Sequence, residues 1–316
     1  MTCNQYKLHC DTVYKGDKPF KRAARTKQST FREEVLKVPF DPKNRYGRYG
    51  AFLLPENAEQ GLNFCEEFRA EILKRIKERY PTLSSEQHNG LYANLLRSEH
   101  IPWNIFIPMD TDREAAAKVF DKIIGPQVVD EITDIRIEWA PEKSRSLNDN
   151  TSFDAYVEYK SKGEKCGIGI EVKYTEEGYP WGKKEYREVM ENDHSRYAEV
   201  TKSCGFFKDE ITNKPLRDTE LCKDNFRQIW RNHILGASML SEPNPLIKKF
   251  HSITLFPSGN PHFPLVLPKY QELLTEYGVS TFGYITFEDL FKLLRTYYHG
   301  ANFEKWLDYI ETRYPF

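Results

Sequence analysis

Two alternating runs joined by a short turn, residues 152–176, constrain the fold more than any other stretch of the chain. In the first run, SFDAYVEYK, apolar residues alternate with polar ones that include Asp154, and in the second, CGIGIEVKYTE, they alternate with Glu171 and Lys173. A period of two is typical of β-strands, because successive side chains in a strand point to opposite faces. The intervening SKGEK carries Gly163 and suits a hairpin turn. The pattern therefore predicts a β-hairpin with one apolar face and one polar face.

The polar face of this hairpin carries two carboxylates and an amine. We expect Tyr159 to pair near Ile168 across the predicted connection. That register places Asp154 opposite Lys173, with Glu171 one diagonal step away, and such neighbours lie roughly 5–8 Å apart. Two close carboxylates repel unless a cation lies between them, and Mg²⁺ suits this position because it binds oxygen ligands. Lys173 would point into the same space and could orient or deprotonate a water bound to the metal. The alternative is a solvated strand face with an ordinary Glu–Lys pair, which stabilises a protein by less than about 1 kcal/mol.

The rest of the chain supplies further strands and several helices. Strand-like alternation recurs at residues 134–139 and 250–256. Helical periodicity predicts helices at residues 58–80, 84–101, 114–124, 224–240, 270–277, 286–298 and 302–314. A capping box of Ser84 and Gln87 opens the second of these helices, and Pro102 is expected to stop it. The sequence therefore predicts an α/β fold in which helices flank a central mixed sheet of four or five strands.

The helix predicted at residues 224–240 has a polar stripe beside its packing stripe. Gln228, Arg231, Asn232 and Leu235 follow the spacing i, i+3, i+4, i+7. An amide and a guanidinium on one side of a helix can hold a water or an anion, the guanidinium with two parallel hydrogen bonds. Hydrogen bonding on an ordinary helix surface is the alternative for these side chains.

Charge is distributed unevenly along the 316 residues. The formal net charge is −1, so no overall positive field points to nucleic acid. The first 50 residues are an exception, with twelve Lys and Arg against five Asp and Glu, and they are either a basic arm beside nucleic-acid phosphates or a solvated extension. The segment GYPWGKKEYREV offers Lys183 and Lys184 to DNA, unless it is simply a solvated insertion.

Several classes of protein are disfavoured by the composition. The chain has no apolar run of transmembrane length and begins without an apolar signal core, so we expect a cytoplasmic protein with no membrane partner. The six cysteines show no paired spacing, and the eight histidines form no ligand pattern. Neither a disulfide framework nor a structural zinc site is therefore expected.

The order of one acid on the first strand and Glu-x-Lys on the next, Asp154 followed by Glu171 and Lys173, resembles the active-site signature of the PD-(D/E)XK nuclease superfamily. Phe153 stands where that signature usually has Pro. Five segments are similar to a bacterial group of restriction endonucleases within this superfamily: LLRSEHIPWNIFIPM, IRIEWAP, SFDAYVEY, GIGIEVKYTE and RQIWRNHILGASM. The resemblance covers residues 84–316.

The resemblance implies a restriction-endonuclease-like fold with Asp154, Glu171 and Lys173 as the catalytic trio. We expect Asp154, Glu171 and the carbonyl of Val172 to hold Mg²⁺, for which Mn²⁺ can substitute. The resemblance also implies that Glu99 is an additional ligand or water-holder, although the bacterial group tends to carry Gln there. A surface carboxylate is the alternative for Glu99. The helix at residues 224–240 is similar to the polar helix that flanks the active site in several lineages of the superfamily, which implies that Gln228 holds a water or a DNA phosphate, that Arg231 binds a phosphate and that Asn232 contacts nucleic acid.

Taken together, these features predict a Mg²⁺-dependent DNA nuclease, an endonuclease by preference, that serves bacterial restriction or antiphage defence. It would act on DNA, with a homodimer or a partner subunit as the candidate assemblies. A repair or transposon-linked nuclease has the same chemistry, and a catalytically silent nucleic-acid-binding subunit of a larger complex is the alternative of a different class. We expect a basic extension at residues 1–50 and a nuclease-like domain at 51–316, with an insertion at 175–222 and C-terminal helices at 265–316.

Overall fold

A mixed β-sheet organises the computed structural model, which describes residues 9–10, 14–45, 47–241 and 245–316. The described residues form one five-stranded sheet, whose strands are β1 (Glu131–Trp139), β2 (Phe153–Ser161), β3 (Glu164–Val172), β4 (Lys249–Phe256) and β5 (Phe282–Thr286). The strands lie in sequence order, β1-β2-β3-β4-β5. The first two pairings are antiparallel and the last two are parallel. The predicted α/β class with a mixed sheet flanked by helices is confirmed.

Helices precede, separate and follow these strands. They are α1 (Pro19–Phe31), α2 (Pro55–Glu59), α3 (Arg69–Arg79), α4 (Ser85–His88), α5 (Ile101–Asp110), α6 (Arg113–Ile124), α7 (Lys183–Val189), α8 (Arg196–Ser203), α9 (Asp209–Thr212), α10 (Arg227–Met239), α11 (Phe263–Gln271), α12 (Glu276–Ser280), α13 (Phe287–Tyr297) and α14 (Ala301–Arg313). Short 3₁₀ or π-helical turns lie at Arg32–Leu36, Gly47–Tyr49, Glu66–Phe68, Asn89–Ala93, Ser98–His100, Lys143–Arg145, Leu216–Asp218 and Glu220–Cys222. None of the helices in the described ranges is long and apolar enough to span a membrane.

The chain divides into two compact units. The helical unit contains the described residues up to Thr111, together with Pro257–Asn260 and Phe287–Phe316. The sheet unit contains Asp112–Phe256 and Pro261–Thr286, and therefore all five strands of the described chain. These units divide the chain at other positions than the predicted boundary at residue 50.

Part of the basic N-terminal stretch is packed into the helical unit. Arg25 is buried and forms an ion pair with Asp17 at 2.6 Å, and the buried Arg32 donates to the carbonyl oxygen of Gly50 at 2.9 Å. These two guanidinium groups are therefore engaged inside the unit, whereas Lys21 is exposed. A contact between this stretch and nucleic acid stays a prediction.

Two predicted helices are interrupted in the structure. Residues 58–80 do not form one helix, because α2 ends at Glu59 and Gly61 adopts a φ of 70°, outside the helical region, before α3 begins. Residues 270–277 are likewise broken between α11 and α12. There the backbone N–H of Lys208 donates to the carbonyl oxygen of Leu273, so this backbone pairs with another segment instead of continuing a helix.

The predicted end of the helix at residues 84–101 and the predicted role of Pro102 were wrong. The capping box of Ser84 and Gln87 is confirmed, but the helical turns that it opens end at Ala93. Pro102 does not stop a helix and instead lies in the first turn of α5, where a missing N–H costs nothing. Strand β5 was not predicted, because the sequence FGYIT is too short to show a clear alternation.

Helix α10 packs closely on the sheet because one of its residues has no side chain. A Cβ atom on Gly236 would lie 1.9 Å from Cε1 of Phe250 on β4. Real Cβ atoms do not approach carbon this closely, so any larger residue must displace the buried ring of Phe250 or push α10 and β4 apart. Gly236 therefore sets the distance between the sheet and the helix that carries Gln228 and Asn232.

We expect Gly236→Ala to lower the free energy of unfolding by about 1–3 kcal/mol, as overpacked cores usually do. Helix propensity alone would favour Ala over Gly by roughly 1 kcal/mol, so a net loss isolates the packing effect. Urea unfolding measures it, with Gly283→Ala on β5 as the matched control, since a Cβ there meets nothing within 4 Å. A stabilised Gly236→Ala variant would contradict the close approach.

Candidate active site

Strands β2 and β3 form the predicted hairpin, but in a different register. Its turn consists of Lys162 and Gly163, whose φ angles of 51° and 80° match the type I′ turns that favour tight hairpins. The strands pair Tyr159 with Cys166, so the predicted pairing of Tyr159 near Ile168 was wrong by two residues. The error arose because the position of the two-residue turn within the six-residue connection fixes the register, and the sequence did not show it.

The observed register brings the two acids closer together than predicted. The last pair in the ladder is Ala155 with Ile170, so one further step places Asp154 across from Glu171 instead of Lys173. The carboxylate of Asp154 accepts a hydrogen bond from the backbone N–H of Val172 at 2.7 Å, which fixes it against the end of β3. The hairpin therefore assembles Asp154, Glu171 and Lys173 at one end of the sheet.

Glu171 and Lys173 are buried at the carboxyl end of β3, between β2 and β4. Their exposed fractions are 5 % and 7 %, and the ammonium of Lys173 contacts the carboxylate of Glu171. The backbone N–H of Lys173 donates to the carbonyl oxygen of Leu255 at 2.8 Å, so the chain stays attached to β4 beyond the strand end. Buried charges carry a large desolvation cost. The pair is therefore not the solvated Glu–Lys pair of the alternative interpretation.

The surroundings of Asp154 disfavour the ionised form of its carboxyl group. Burial raises the pKa of its carboxyl group well above the ordinary value, and repulsion from Glu171 raises it further. The ammonium of Lys173 and the N–H of Val172 lower the pKa, but by less. The site thus disfavours a second negative charge in the absence of further positive charge.

Lys173 is held as an ammonium by the two acids. Burial lowers its pKa, but Glu171 and Asp154 together raise it by more, so the pKa lies above the ordinary value. The ring of Tyr179 adds a cation–π contact, with its centroid 5.4 Å from Nζ. Of the two roles predicted for Lys173, this environment favours orienting a water over deprotonating one.

One face of α10 approaches the trio. The amide of Asn232, which is buried, donates a hydrogen bond to the carboxylate of Glu171. Gln228 lies one turn earlier and lines the same cleft as Glu171 and Lys173. The structure therefore brings Gln228 and Asn232 to the site. A direct contact between Asn232 and nucleic acid stays a prediction, and its observed partner is a catalytic candidate.

Arg231 lies on the neighbouring face of α10. Its guanidinium forms an ion pair with Asp149 at 2.8 Å, contacts Glu185, and donates to the hydroxyl of Thr151 at 2.5 Å. A phosphate that binds there must compete with these two carboxylates for the guanidinium. The predicted phosphate contact of Arg231 remains a prediction with that condition attached.

The other predicted site residues have different surroundings. Lys183 and Lys184 are exposed in the first turn of α7, with the ammonium of Lys184 3.7 Å from the carboxylate of Glu188. Glu99 belongs to the helical unit, where its carboxylate contacts the guanidinium of Arg97. The roles of these three residues in binding DNA or metal stay predictions.

The cleft also contains residues that the sequence did not single out. Thr254 on β4 pairs with Glu171 in the parallel register, and His262 precedes α11. The full lining is Glu171, Lys173, Glu177, Gly178, Asp224, Asn225, Gln228, Ile229, Thr254, His262 and Phe263. No sequence signal identifies these neighbours, because β3 and β4 are about 75 residues apart in the chain and the pairing of parallel strands leaves no local pattern.

The donor set at the site suits a hard divalent cation. Within the described residues, no three His, Cys, Asp or Glu side chains are grouped so that they could hold a metal ion by themselves. Asp154, Glu171 and the carbonyl of Val172 offer only oxygen, which suits Mg²⁺ with its preference for one or two carboxylates plus waters and phosphate oxygens. Zinc would favour nitrogen and sulfur ligands. The repulsion that raises the pKa of Asp154 is the kind that a cation relieves.

Comparison with known proteins gives one match. The model of a family described as the PD-(D/E)XK nuclease superfamily matches residues 15–316, essentially the whole chain. No curated protein and no solved structure matches the chain.

Proposed function

Because the chain belongs to the PD-(D/E)XK nuclease superfamily, we propose that it hydrolyses DNA phosphodiesters with Mg²⁺, or Mn²⁺ in its place, and cuts as an endonuclease. The observation that carries the proposal is the burial of Glu171 and Lys173 beside Asp154 at the end of β3. Holding a buried Glu171 and a half-buried Asp154 together with one buried amine costs stability, so their presence together is better explained by chemistry than by folding. The intact trio also favours the enzyme over a catalytically silent subunit.

Asp154, Glu171 and the carbonyl of Val172 would hold the cation. When bound, the cation supplies positive charge that polarises the phosphoryl oxygens and stabilises the negative charge of the transition state. Asn232 acts through Glu171, because its amide fixes one oxygen of that carboxylate. It is thus a positioning residue, as partners of ligating carboxylates often are.

The remaining residues act on the water and the substrate. Lys173 donates hydrogen bonds and orients the water whose oxygen attacks phosphorus as the bond to the leaving 3′ oxygen breaks. Gln228, which lines the cleft, holds the phosphate or a second water. The proton that this water loses passes to a neighbouring solvent water, and the leaving 3′ oxygen takes a proton from solvent. Positioning and charge stabilisation therefore act without a side chain that abstracts a proton.

Nicking of supercoiled plasmid tests the proposal. We expect the wild-type protein to nick in Mg²⁺ and not in EDTA. Glu171→Gln, which preserves the side-chain shape and removes the charge, should nick more than about a hundredfold more slowly, because losing a ligand costs more than the roughly 10- to 100-fold of losing a partner of a ligand. Equal nicking by both proteins would mean that the site is elsewhere or that the activity is a contaminant. DNA binding by both without nicking in Mg²⁺ or Mn²⁺ would identify the non-catalytic subunit.

The biological setting that we propose is bacterial restriction or antiphage defence in the cytoplasm. It rests on family analogy alone, namely the similarity of five segments to a bacterial group of restriction endonucleases. Action as a homodimer or with a partner subunit belongs to the same proposal.

A further inference from the structure

Two arginines on α10 share one carboxylate from another helix. Arg227 and Arg231 are one turn apart, and both face Glu185 on α7. Arg227 donates to Glu185 through Nε at 3.2 Å and through Nη2 at 2.6 and 2.8 Å, and Arg231 contacts the same carboxylate. Glu185 therefore occupies the space between two guanidinium groups.

The surroundings of the arginine pair are partly open. Both arginine side chains are 16 % exposed, and the carboxylates of Glu185 and Asp149 are 24 % and 32 % exposed. Arg227 lies over the ring of Trp181 and Arg231 over the ring of Tyr197, with 5.2 and 5.4 Å to the ring centroids. Aromatic faces hold guanidinium groups flat and keep their donor edges available.

The pair lies beside the candidate active site. Gln228 separates the two arginines in sequence and lines the cleft that contains Glu171 and Lys173. The arginine pair and the cleft are therefore approached from the same helix, so DNA that reaches the cleft passes near the arginines.

We propose that Arg227 and Arg231 form a binding site for a second phosphate of the DNA backbone, and that Glu185 occupies this site in the free protein. The inference rests on the proposed nuclease function. A carboxylate and a phosphodiester each carry one negative charge and accept two parallel hydrogen bonds from an arginine. Exchange of one for the other keeps the guanidinium groups paired, so neither arginine is left uncompensated.

Helix α7 is suited to release this contact. Val189 at its carboxyl end is its fully buried residue, whereas Lys183, Lys184 and Arg187 are exposed. Val189 and Tyr186 pack on the hydrophobic core and keep α7 in place, so only the side chain of Glu185 needs to swing out, and the exposed cations of α7 stay near the bound DNA. Glu185 thus competes with DNA for Arg227 and Arg231.

Binding of a labelled DNA duplex in EDTA, where no cleavage occurs, tests the competition. We expect Glu185→Gln to bind about fivefold more tightly at 0.15 M salt and to steepen the dependence of log Kd on log salt by about 0.9, the values for one phosphate contact that no longer competes with a carboxylate. Glu188→Gln is the matched control, because it removes the same charge from an exposed position of the same helix. Its Kd should change by less than about twofold.

A second variant keeps the proposal testable if Glu185→Gln folds poorly. Arg227→Gln leaves Glu185 with Arg231 as its partner and should weaken binding about fivefold with a correspondingly shallower salt dependence. Equal affinity of the Glu185 and Glu188 variants, or an unchanged affinity of Arg227→Gln, would mean that the cluster only anchors α7. Plasmid nicking by the wild type in Mg²⁺ separates the two proposals: nicking without the affinity gain overturns the competition alone, and no DNA binding by any variant overturns both.

Discussion

Asp154→Asn is expected to slow DNA cleavage by about a thousandfold or more and, at the same time, to stabilise the metal-free protein. The loss of activity follows because one of two carboxylates for the cation is gone, and with it most of the charge stabilisation at phosphorus. The gain in stability follows because burial and Glu171 disfavour the ionised form of Asp154 in the folded state. Asn has the shape of the carboxylic acid and no charge.

The raised pKa of Asp154 makes the stability of the folded protein fall as pH rises. The unfolded chain ionises Asp154 near its ordinary pKa of about 4, whereas the folded chain retains the proton to higher pH. The stability that this group contributes is therefore complete below about pH 4 and is lost as pH rises towards the folded pKa. At pH 7 the Asn variant avoids this loss, and its Tm in EDTA should rise by about 2–4 °C, the shift that roughly 1 kcal/mol causes in a domain of this size.

Thermal unfolding in EDTA and in Mg²⁺, together with plasmid nicking, measures both halves of this prediction. Mg²⁺ should raise the Tm of the wild type and have little effect on Asp154→Asn. The control is Glu158→Gln, a carboxylate on the same strand and face that pairs with Lys165 at 2.7 Å and with Arg136. It should keep nicking and gain no stability. If the Asp154→Asn variant is destabilised and binds Mg²⁺ normally, Asp154 does not bind the metal ion.

Lys173→Met is expected to cut DNA about 10²- to 10⁴-fold more slowly while it still binds the cation. The range is that of removing a group that positions or donates a proton in the transition state. The ammonium now neutralises Glu171 and competes with any cation for that carboxylate. Its removal should therefore leave Mn²⁺ affinity equal to that of the wild type or higher, in contrast to Asp154→Asn.

The stability of Lys173→Met should also change in the opposite direction. Removing one partner of a buried ion pair costs about 3–5 kcal/mol, so the Tm in EDTA should fall and recover in part when Mg²⁺ is added. Calorimetric titration with Mn²⁺, thermal unfolding and plasmid nicking provide the three readouts. Lys165→Met is the control, since this lysine lies on β3, the strand that Lys173 directly follows, and its exposed ammonium forms an ion pair worth less than about 1 kcal/mol. Loss of Mn²⁺ binding in Lys173→Met would show that the lysine shapes the site and does not act in catalysis.

The hairpin of β2 and β3 was predicted from the local sequence in all but its register. Alternation fixed which side chains of β2 and β3 share a face, so Asp154, Glu171 and Lys173 were predicted to lie together, and the structure places them together. The register was missed by two residues, because it depends on φ angles at Lys162 and Gly163 that many six-residue connections could adopt. Helices α6, α10, α13 and α14 followed from periodicity, whereas the helix predicted at residues 58–80 was broken by tertiary context that periodicity does not record.

The partners of Arg231 and Asn232 on α10 could not be predicted from the sequence. Spacing identified one polar stripe on this helix, yet the fold divides it, with Asn232 on Glu171 and Arg231 on Glu185 and Asp149. Their partners are 46 to 82 residues away in the chain. Contacts over such separations depend on how helices pack on the sheet, for which Gly236 against Phe250 is one determinant.

By itself, the sequence determined the alternation of the central hairpin, the chemistry of its polar face and the class of fold, because these follow from side-chain type at periods of two and 3.6 residues. Only the tertiary structure decided which acid lies opposite Asp154, that Glu171 and Lys173 are buried, and which partners Asn232 and Arg231 have. The physical reason is that burial and long-range pairing depend on the whole set of packed elements, and no short window of residues contains that information.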